Sequence, residues 1–213
     1  MAYFSIRKTT LIALISFYVL ALCIIWFRYT QVTHLQLKEL AMLDPMTSLL
    51  NRRGFEAKLK DLPASQYLAI AVFDIDNFKV INDTCGHQVG DDIICQVAKL
   101  LSNSLRQSDL IARFGGEEFV IAVTCESAEL AQLILERVQM DISSPEIRLC
   151  DETIPVTASG GAVIYKMNKL KSAAQLWQTS GIVAADKLLY RAKKAGKNQI
   201  YIEIDNGSPS SYL

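Results

Sequence analysis

The sequence predicts an α/β sandwich, a mixed central sheet with helices packed on it, carried behind one membrane-spanning helix. Three observations lead there. An apolar run near the N-terminus is long enough to cross a bilayer. Behind it, strand-like and helix-like periods alternate. Among these, two short strands close on a pair of glycines as a hairpin. Composition agrees: of 213 residues 51% are hydrophobic and 21% charged, too apolar for a disordered chain. Lys+Arg number 22 against Asp+Glu 22, so no bulk charge draws the chain to nucleic acid, and no nucleic-acid partner is expected. Five scattered cysteines without a CxxC pair argue against a disulfide framework or zinc knuckle and fit a reducing compartment.

Each element follows from its local pattern. Leu11 to Phe27 (LIALISFYVLALCIIWF) is interrupted only by Ser16. With Thr9 and Thr10 it approaches the ~20 residues that span a bilayer as a helix. Trp26 and Tyr29 stand at one end, where amphipathic rings favour the interface. The alternative is a cleaved signal peptide, against which stands the lack of a small-x-small cleavage site. We therefore read residues 1–8 as a short leading segment and 9–28 as a transmembrane helix. Residues 29–43 are a helical stalk or an ordinary connecting helix; Val32, Leu35 and Met42 have heptad-like spacing. Asp44-Pro45 marks the boundary of one domain over 44–205, since Asp caps helix starts and Pro suits the first helical position. Residues 206–213 (NGSPSSYL) read as a frayed tail.

Within the domain, Tyr67 to Asp74 (YLAIAVFD) is a continuous apolar run, a strand buried on both faces. Gly90 to Leu105 places Ile94, Val97, Ala98, Leu101 and Leu105 on one helical face. Leu110 to Phe114 and Phe119 to Thr124 read as strands joined across Gly115-Gly116. Ala128 to Ile142 is helical by period and Val156 to Tyr165 strand-like. Ala184 to Ala195 is helical with Gly196 as its stop, and Gln199 to Ile204 is a last strand. This order fits a ferredoxin-like arrangement.

Two constellations carry chemistry. In Phe73 to Asp92 (FDIDNFKVINDTCGHQVGDD) a buried strand ends at Asp74, so a carboxylate emerges at the sheet edge. Asp76, Lys79, Asn82, Asp83, His87 and Asp91 follow. Hard cations such as Mg²⁺ take carboxylate oxygens and keep water or phosphate as remaining ligands. A lysine nearby neutralises phosphate, and Asn with Asp can read a base edge. The same residues could also serve only turns and caps. In Arg113 to Phe119 (RFGGEEF), adjacent Glu117 and Glu118 repel unless something positive sits beside them, a need that a metal answers. One of the two should face the metal opposite Asp74, because neighbouring strand residues point to opposite sides.

Together these motifs resemble the GGDEF family of diguanylate cyclases, here with a GGEEF signature. The similarity runs from DPMTSLLNRRGF at Asp44 to Phe55, through FDIDNFKVINDTCGHQVGDD and RFGGEEF, to AADKLLYRAKKAGKN at Ala184 to Asn198. Ser48 departs from the family's usual glycine in the entry turn. The resemblance implies a ferredoxin-like palm with a GGEEF hairpin. It also implies a homodimer in which two GTP molecules condense to cyclic di-3′,5′-GMP with release of two pyrophosphates. Two Mg²⁺ or Mn²⁺ ions per active site are implied, held by Asp74, the Ile75 carbonyl, Glu117 and Glu118. Glu117 is implied as base near the attacking hydroxyl, with Glu118 as an additional site-shaping acid and Lys79 stabilising developing charge. Asn82 and Asp91 are implied to read guanine with His87 nearby, and Lys193 and Lys197, four apart on one helical face, to grip phosphates. Arg106 and Asp109, an RxxD before the hairpin, with Arg113 as accessory, look like the family's product-inhibition site.

This chemistry sets the expected topology. GTP is cytosolic, so the catalytic domain should face the cytoplasm from a bacterial inner membrane, with the N-terminus outside. The membrane helix and stalk should set dimer spacing, with a signalling partner protein supplying input. The alternative function is a catalytically weak module that receives cyclic di-GMP through Arg106 and Asp109.

Overall fold

The computed structural model describes residues 14–31, 42–63, 65–143, 146–149, 152–167 and 181–205. The chain divides into two units, residues 1–41 and 42–213. In the first, helix α1 (Leu14–Gln31) is long and apolar enough to cross a membrane. Its large side chains, among them Phe17, Tyr18, Ile25 and Trp26, are exposed around the helix. A helix apolar on every face is suited to lipid. The expected stalk lies mostly outside the described residues, as do Cys150 and the tail; among the described residues Cys23, Cys85, Cys95 and Cys125 are free thiols.

The second unit contains α2 (Arg52–Lys58), β1 (Tyr67–Ile75), α3 (Phe78–Cys85), α4 (His87–Ser104), β2 (Leu110–Gly115), β3 (Glu118–Cys125) and α5 (Ala128–Ser143). A short hairpin of β4 (Glu146–Leu149) and β5 (Glu152–Pro155) follows, then β6 (Ala158–Lys166), α6 (Ile182–Lys194) and β7 (Ile200–Asp205). The main sheet runs β2-β3-β1-β6-β7. β1 is antiparallel to both β3 and β6, and β6 and β7 are parallel. The parallel pair needs a crossover, which α6 supplies. The predicted α/β sandwich with a mixed sheet is therefore the observed fold.

Period-2 alternation in β1 divides the core. Ala69, Ala71, Phe73 and Ile75 face α4 and α5, meeting Ile93, Val97, Leu101, Leu135 and Val138. Leu68, Ile70 and Val72 face the other layer, meeting Phe55 of α2 and Ala184, Ala185 and Leu188 of α6. Each large side chain removed from water contributes roughly 1.5–3 kcal/mol before entropy is charged. Gly161 lets α6 settle on β6: a Cβ there would lie 2.1 Å from the Ala185 carbonyl oxygen and the Leu189 nitrogen. That close approach sets the height of α6, and with it Lys193.

One boundary differs from the sequence reading. Asp44 caps a turn rather than a helix: its carboxylate accepts from the Thr47 N–H at 2.9 Å and the Thr47 hydroxyl at 2.8 Å. The helix starts later, where Asn51 accepts from the Gly54 N–H. The segment between lies along β2. Leu50 donates to the Ile111 carbonyl at 3.2 Å and accepts from the Arg113 N–H at 2.8 Å. It thereby covers a sheet edge that would otherwise stay open. The β4–β5 hairpin is a further difference, since strands this short carry no long period in the sequence.

Ser48 holds φ +59°, a left-handed conformation that costs an L residue about 1 kcal/mol. Ser48→Gly should therefore raise domain stability by about 0.5–1 kcal/mol. Chemical denaturation of both forms checks this, with the midpoint moving up for the variant.

Candidate functional site

The site forms where β1 ends beside the β2–β3 hairpin. Pairing fixes its layout. Gly115 of β2 lies opposite Glu118, after an irregularity that skips Phe114. The loop is thus Gly116-Glu117, not Gly115-Gly116, with Gly116 at φ +52°. This displaces the acids by one position from a simple reading. Glu118 starts β3 and is the cross-strand partner of Asp74, while Glu117 occupies the turn. The Glu117 carbonyl still reaches β1, accepting the Ile75 N–H at 3.4 Å.

Asp74 is buried, and Lys193 Nζ lies 2.7 Å from its Oδ1. Burial pushes the Asp74 carboxyl up from its ordinary range; Lys193 pulls it back without cancelling, and the charges of Glu117 and Asp76 add to the rise. Burial also raises Glu118, helped by the charges of Asp74 and Asp186. Asp186, raised by its own burial, is a site residue that sequence reasoning does not single out. A signal for it exists: it stands seven residues before Lys193, two helical turns along the same face of α6.

Among the described residues no three His, Cys, Asp or Glu side chains already converge on one point as a closed cation cage. The donor chemistry nevertheless fits a hard divalent ion. Asp74, Glu117 and Glu118 act on one another electrostatically, and the Lys193 ammonium is in contact with Asp74. Acids whose charges repel one another in this way gain from a shared cation.

The α3–α4 corner forms a second part. Asn82 on α3 has its Oδ1 buried with no partner. Gly90 on α4 makes room for it: a Cβ at Gly90 would lie 1.9 Å from that oxygen. His87 opens α4 and Asp91 lies one turn on, both exposed; Lys79 is exposed on α3. Lys197 corrects another expectation. α6 ends at Lys194, and Lys197 sits in the following turn at φ +64°, so Lys193 and Lys197 share no helical face. Lys197 Nζ donates to Asn77 Oδ1 at 2.5 Å.

Arg106 and Asp109 lie on a separate cleft of about 470 Å³, with Ser48, Leu49 and Lys58 among its other walls. The buried Asp109 carboxylate accepts the Arg106 N–H at 2.9 Å, so it shapes this turn as well as facing the cleft. Arg113 is placed elsewhere. Its guanidinium donates to Asp44 Oδ1 at 3.2 Å and to the Gly116 carbonyl at 2.9 Å. It ties the entry turn to the hairpin tip rather than lining the Arg106 cleft.

Comparison with known proteins gives one family. The family model described as diguanylate cyclase, GGDEF domain, matches residues 41–199. Diguanylate cyclase DgcP of Pseudomonas aeruginosa is 36% identical over 170 residues, which is 78% of this chain and 24% of that relative's length. Among solved structures, the coiled coil and GGDEF domain of Caulobacter crescentus DgcB, in complex with c-di-GMP, aligns with TM-score 0.67 at 28% identity. That match covers 86% of this chain and 97% of the other. Diguanylate cyclase SiaD of Pseudomonas aeruginosa, solved with its activator SiaC, gives TM-score 0.66 at 28% identity over 95% of this chain and 80% of the other.

The Asp44 carboxylate supplies a pH test. Burial opposes its ionisation, but the Thr47 hydroxyl, the Thr47 N–H and the Arg113 guanidinium outweigh burial and hold it below its ordinary 3.8. A depressed folded pKa gives stability that is present above the unfolded value and lost as pH falls through the folded one. Asp44→Asn should cost about 1–2 kcal/mol at pH 7. Unfolding measured from pH 7 down to pH 2 should show the variant losing less stability below about pH 4 than the parent.

Proposed function

The chain belongs to the GGDEF domain family, and we propose that it is a diguanylate cyclase, joining two GTP molecules into cyclic di-3′,5′-GMP with release of two pyrophosphates. The supporting observation is the coincidence of two features. A carboxylate cluster stands at the end of β1 and the hairpin, and a buried, unpartnered acceptor, Asn82 Oδ1, stands at the α3–α4 corner. An orphan acceptor costs about 1–3 kcal/mol, which a ligand N–H recovers. Guanine offers donors at its N1 and amino positions, and adenine has no matching N1–H. Asn82 with Asp91 therefore reads the base, with His87 beside them.

Asp74, Glu117, Glu118 and the Ile75 carbonyl would hold the two divalent ions, Mg²⁺ or Mn²⁺. Bound there, such ions neutralise phosphate charge and lower the pKa of an attached oxygen. The chain's own residues do the rest. Lys193, now on Asp74, lies where an ammonium can move to a phosphate. Lys79 and Lys197 approach from α3 and from the turn after α6. Asp74 and Glu118, crowded by burial and by neighbouring acids, gain most from the cation; Glu117, at the turn, serves as base toward the 3′-hydroxyl. No covalent nucleophile is required, since transfer to the α-phosphorus rests on positioning and charge neutralisation.

One domain holds one GTP, so the reaction needs a homodimer with two sites face to face. We place the domain in the cytoplasm, where GTP is, with α1 as a single-pass anchor in the inner membrane. The anchor and the residues after it set dimer spacing, and a partner protein supplies the signal; the activator solved with SiaD is a precedent in a relative. The cleft at Arg106 and Asp109 is the site of product feedback, with Arg106 binding phosphate and guanine.

Two measurements test this reading. The full chain given GTP and Mg²⁺ should form pyrophosphate and cyclic di-GMP, and Glu117→Ala should lower the rate about a hundredfold or more. Titrating cyclic di-GMP into the reaction should give half-inhibition at about tenfold higher concentration in Arg106→Ala, the effect of removing one charge-assisted hydrogen bond.

A further inference from the structure

Asp76 has no role in the sequence motifs beyond its nearness to Asp74, yet it is more deeply buried, at 3% exposure. Its carboxylate is fully engaged. Oδ1 accepts the Ser159 hydroxyl at 2.7 Å; Oδ2 accepts the Thr157 hydroxyl at 2.8 Å and the Asn198 N–H at 2.9 Å. Its own N–H donates to the Thr157 carbonyl at 2.8 Å. One side chain thus joins the end of β1, the start of β6 and the turn between α6 and β7.

That turn is conformationally costly. Lys197 and Asn198 are consecutive non-glycine residues at φ +64° and +47°. Left-handed L residues persist only where surroundings hold them. Asp76 holds Asn198 by its N–H. A second clamp comes from another element: the buried Gln139 of α5 donates to Asn198 Oδ1 at 2.8 Å and to the Ala158 carbonyl at 3.4 Å. Between the clamps, Lys197 is directed across to Asn77, itself at φ +56° and immediately before α3. The Lys197 ammonium therefore lies at the residue that opens α3, an N-terminus whose cap makes no side-chain hydrogen bond.

We propose that Asp76 and Gln139 are positioning residues that hold the Lys197–Asn198 turn in its left-handed form, and so place Lys197 against the phosphate end of the nucleotide. The proposal rests on the reading of the site as a GTP site only for the identity of that nucleotide. Neither residue touches substrate; both act through Asn198. Their removal should weaken phosphate binding and spare the guanine corner, which is built from α3 and α4.

The test uses the full chain in Mg²⁺ buffer and two probes, pyrophosphate and guanosine, with affinities measured by calorimetry. Gln139→Met keeps bulk and removes the amide; Asp76→Ala removes every acceptor; Asp76→Asn keeps an oxygen for the Asn198 N–H. Gln139→Met and Asp76→Ala should each weaken pyrophosphate about tenfold and leave guanosine within about twofold, because only the phosphate end depends on Lys197. Asp76→Asn should recover most of the pyrophosphate affinity. If Asp76→Ala does not fold, Gln139→Met carries the test. Unchanged pyrophosphate affinity in folded Gln139→Met overturns the proposal. So does an equal weakening of both probes, or a parent chain that binds no pyrophosphate. If the variants show the split but the parent makes no cyclic di-GMP, the cyclase reading is refuted and the positioning role stands.

Discussion

The domain depends on a concentration of negative charge that the sheet register forces into one place. Asp74 ends the central strand, and antiparallel pairing puts Glu118 directly across from it. The two-residue loop then puts Glu117 beside both. Burial and the charges of neighbouring acids raise Asp74 and Glu118, and the Lys193 ammonium in contact with Asp74 does not cancel the rise. Such a corner is poised to take up positive charge, and the rest of the domain can be read as the means of delivering it with a nucleotide attached.

The scaffold around that corner is stiff. β1 lies at the centre of the sheet with cores on both faces, so Asp74 projects from the central, fully packed strand. α6 is seated closely through Gly161, which fixes Lys193 opposite. Arg113 connects the entry turn at Asp44 with the Gly116 carbonyl at the hairpin tip. Asp76 and Gln139 secure the turn after α6. The acidic corner, Lys193 and the Lys197 turn are therefore backed by hydrogen bonds or a packed helix, as a preorganised electrostatic site requires.

Much of this is legible in the sequence. Continuous apolar β1, the period of α4 and α5, the glycine-centred hairpin and the Gly196 stop each carry a local physical signal, and the mixed sheet follows from their order. The motif residues Asp74, Asn82, Glu117 and Lys193 can be named through the family resemblance of the motifs that hold them. What stays hidden is set by tertiary pairing. Which glutamate faces Asp74 depends on a skipped residue, Phe114, that no pattern announces. The Asp44 turn imitates a helix cap because the same carboxylate geometry serves both. Lys197 has helical spacing from Lys193, but the chain leaves the helix before reaching it. Asp76, Asp186 and Gln139 gain their meaning only from partners far along the chain.

The central claim is that the acidic corner exists to share a divalent cation with the phosphates of GTP, displacing Lys193 from Asp74. The most direct measurement is a crystal structure of the chain with Mn²⁺ and a non-hydrolysable GTP analogue, phased on the anomalous signal of manganese. The account predicts manganese at coordination distance from Asp74 and a hairpin glutamate, with Lys193 turned to phosphate oxygen and guanine on Asn82. Nucleotide bound away from this corner, with the Asp74–Lys193 pair intact and no manganese between the acids, would contradict it.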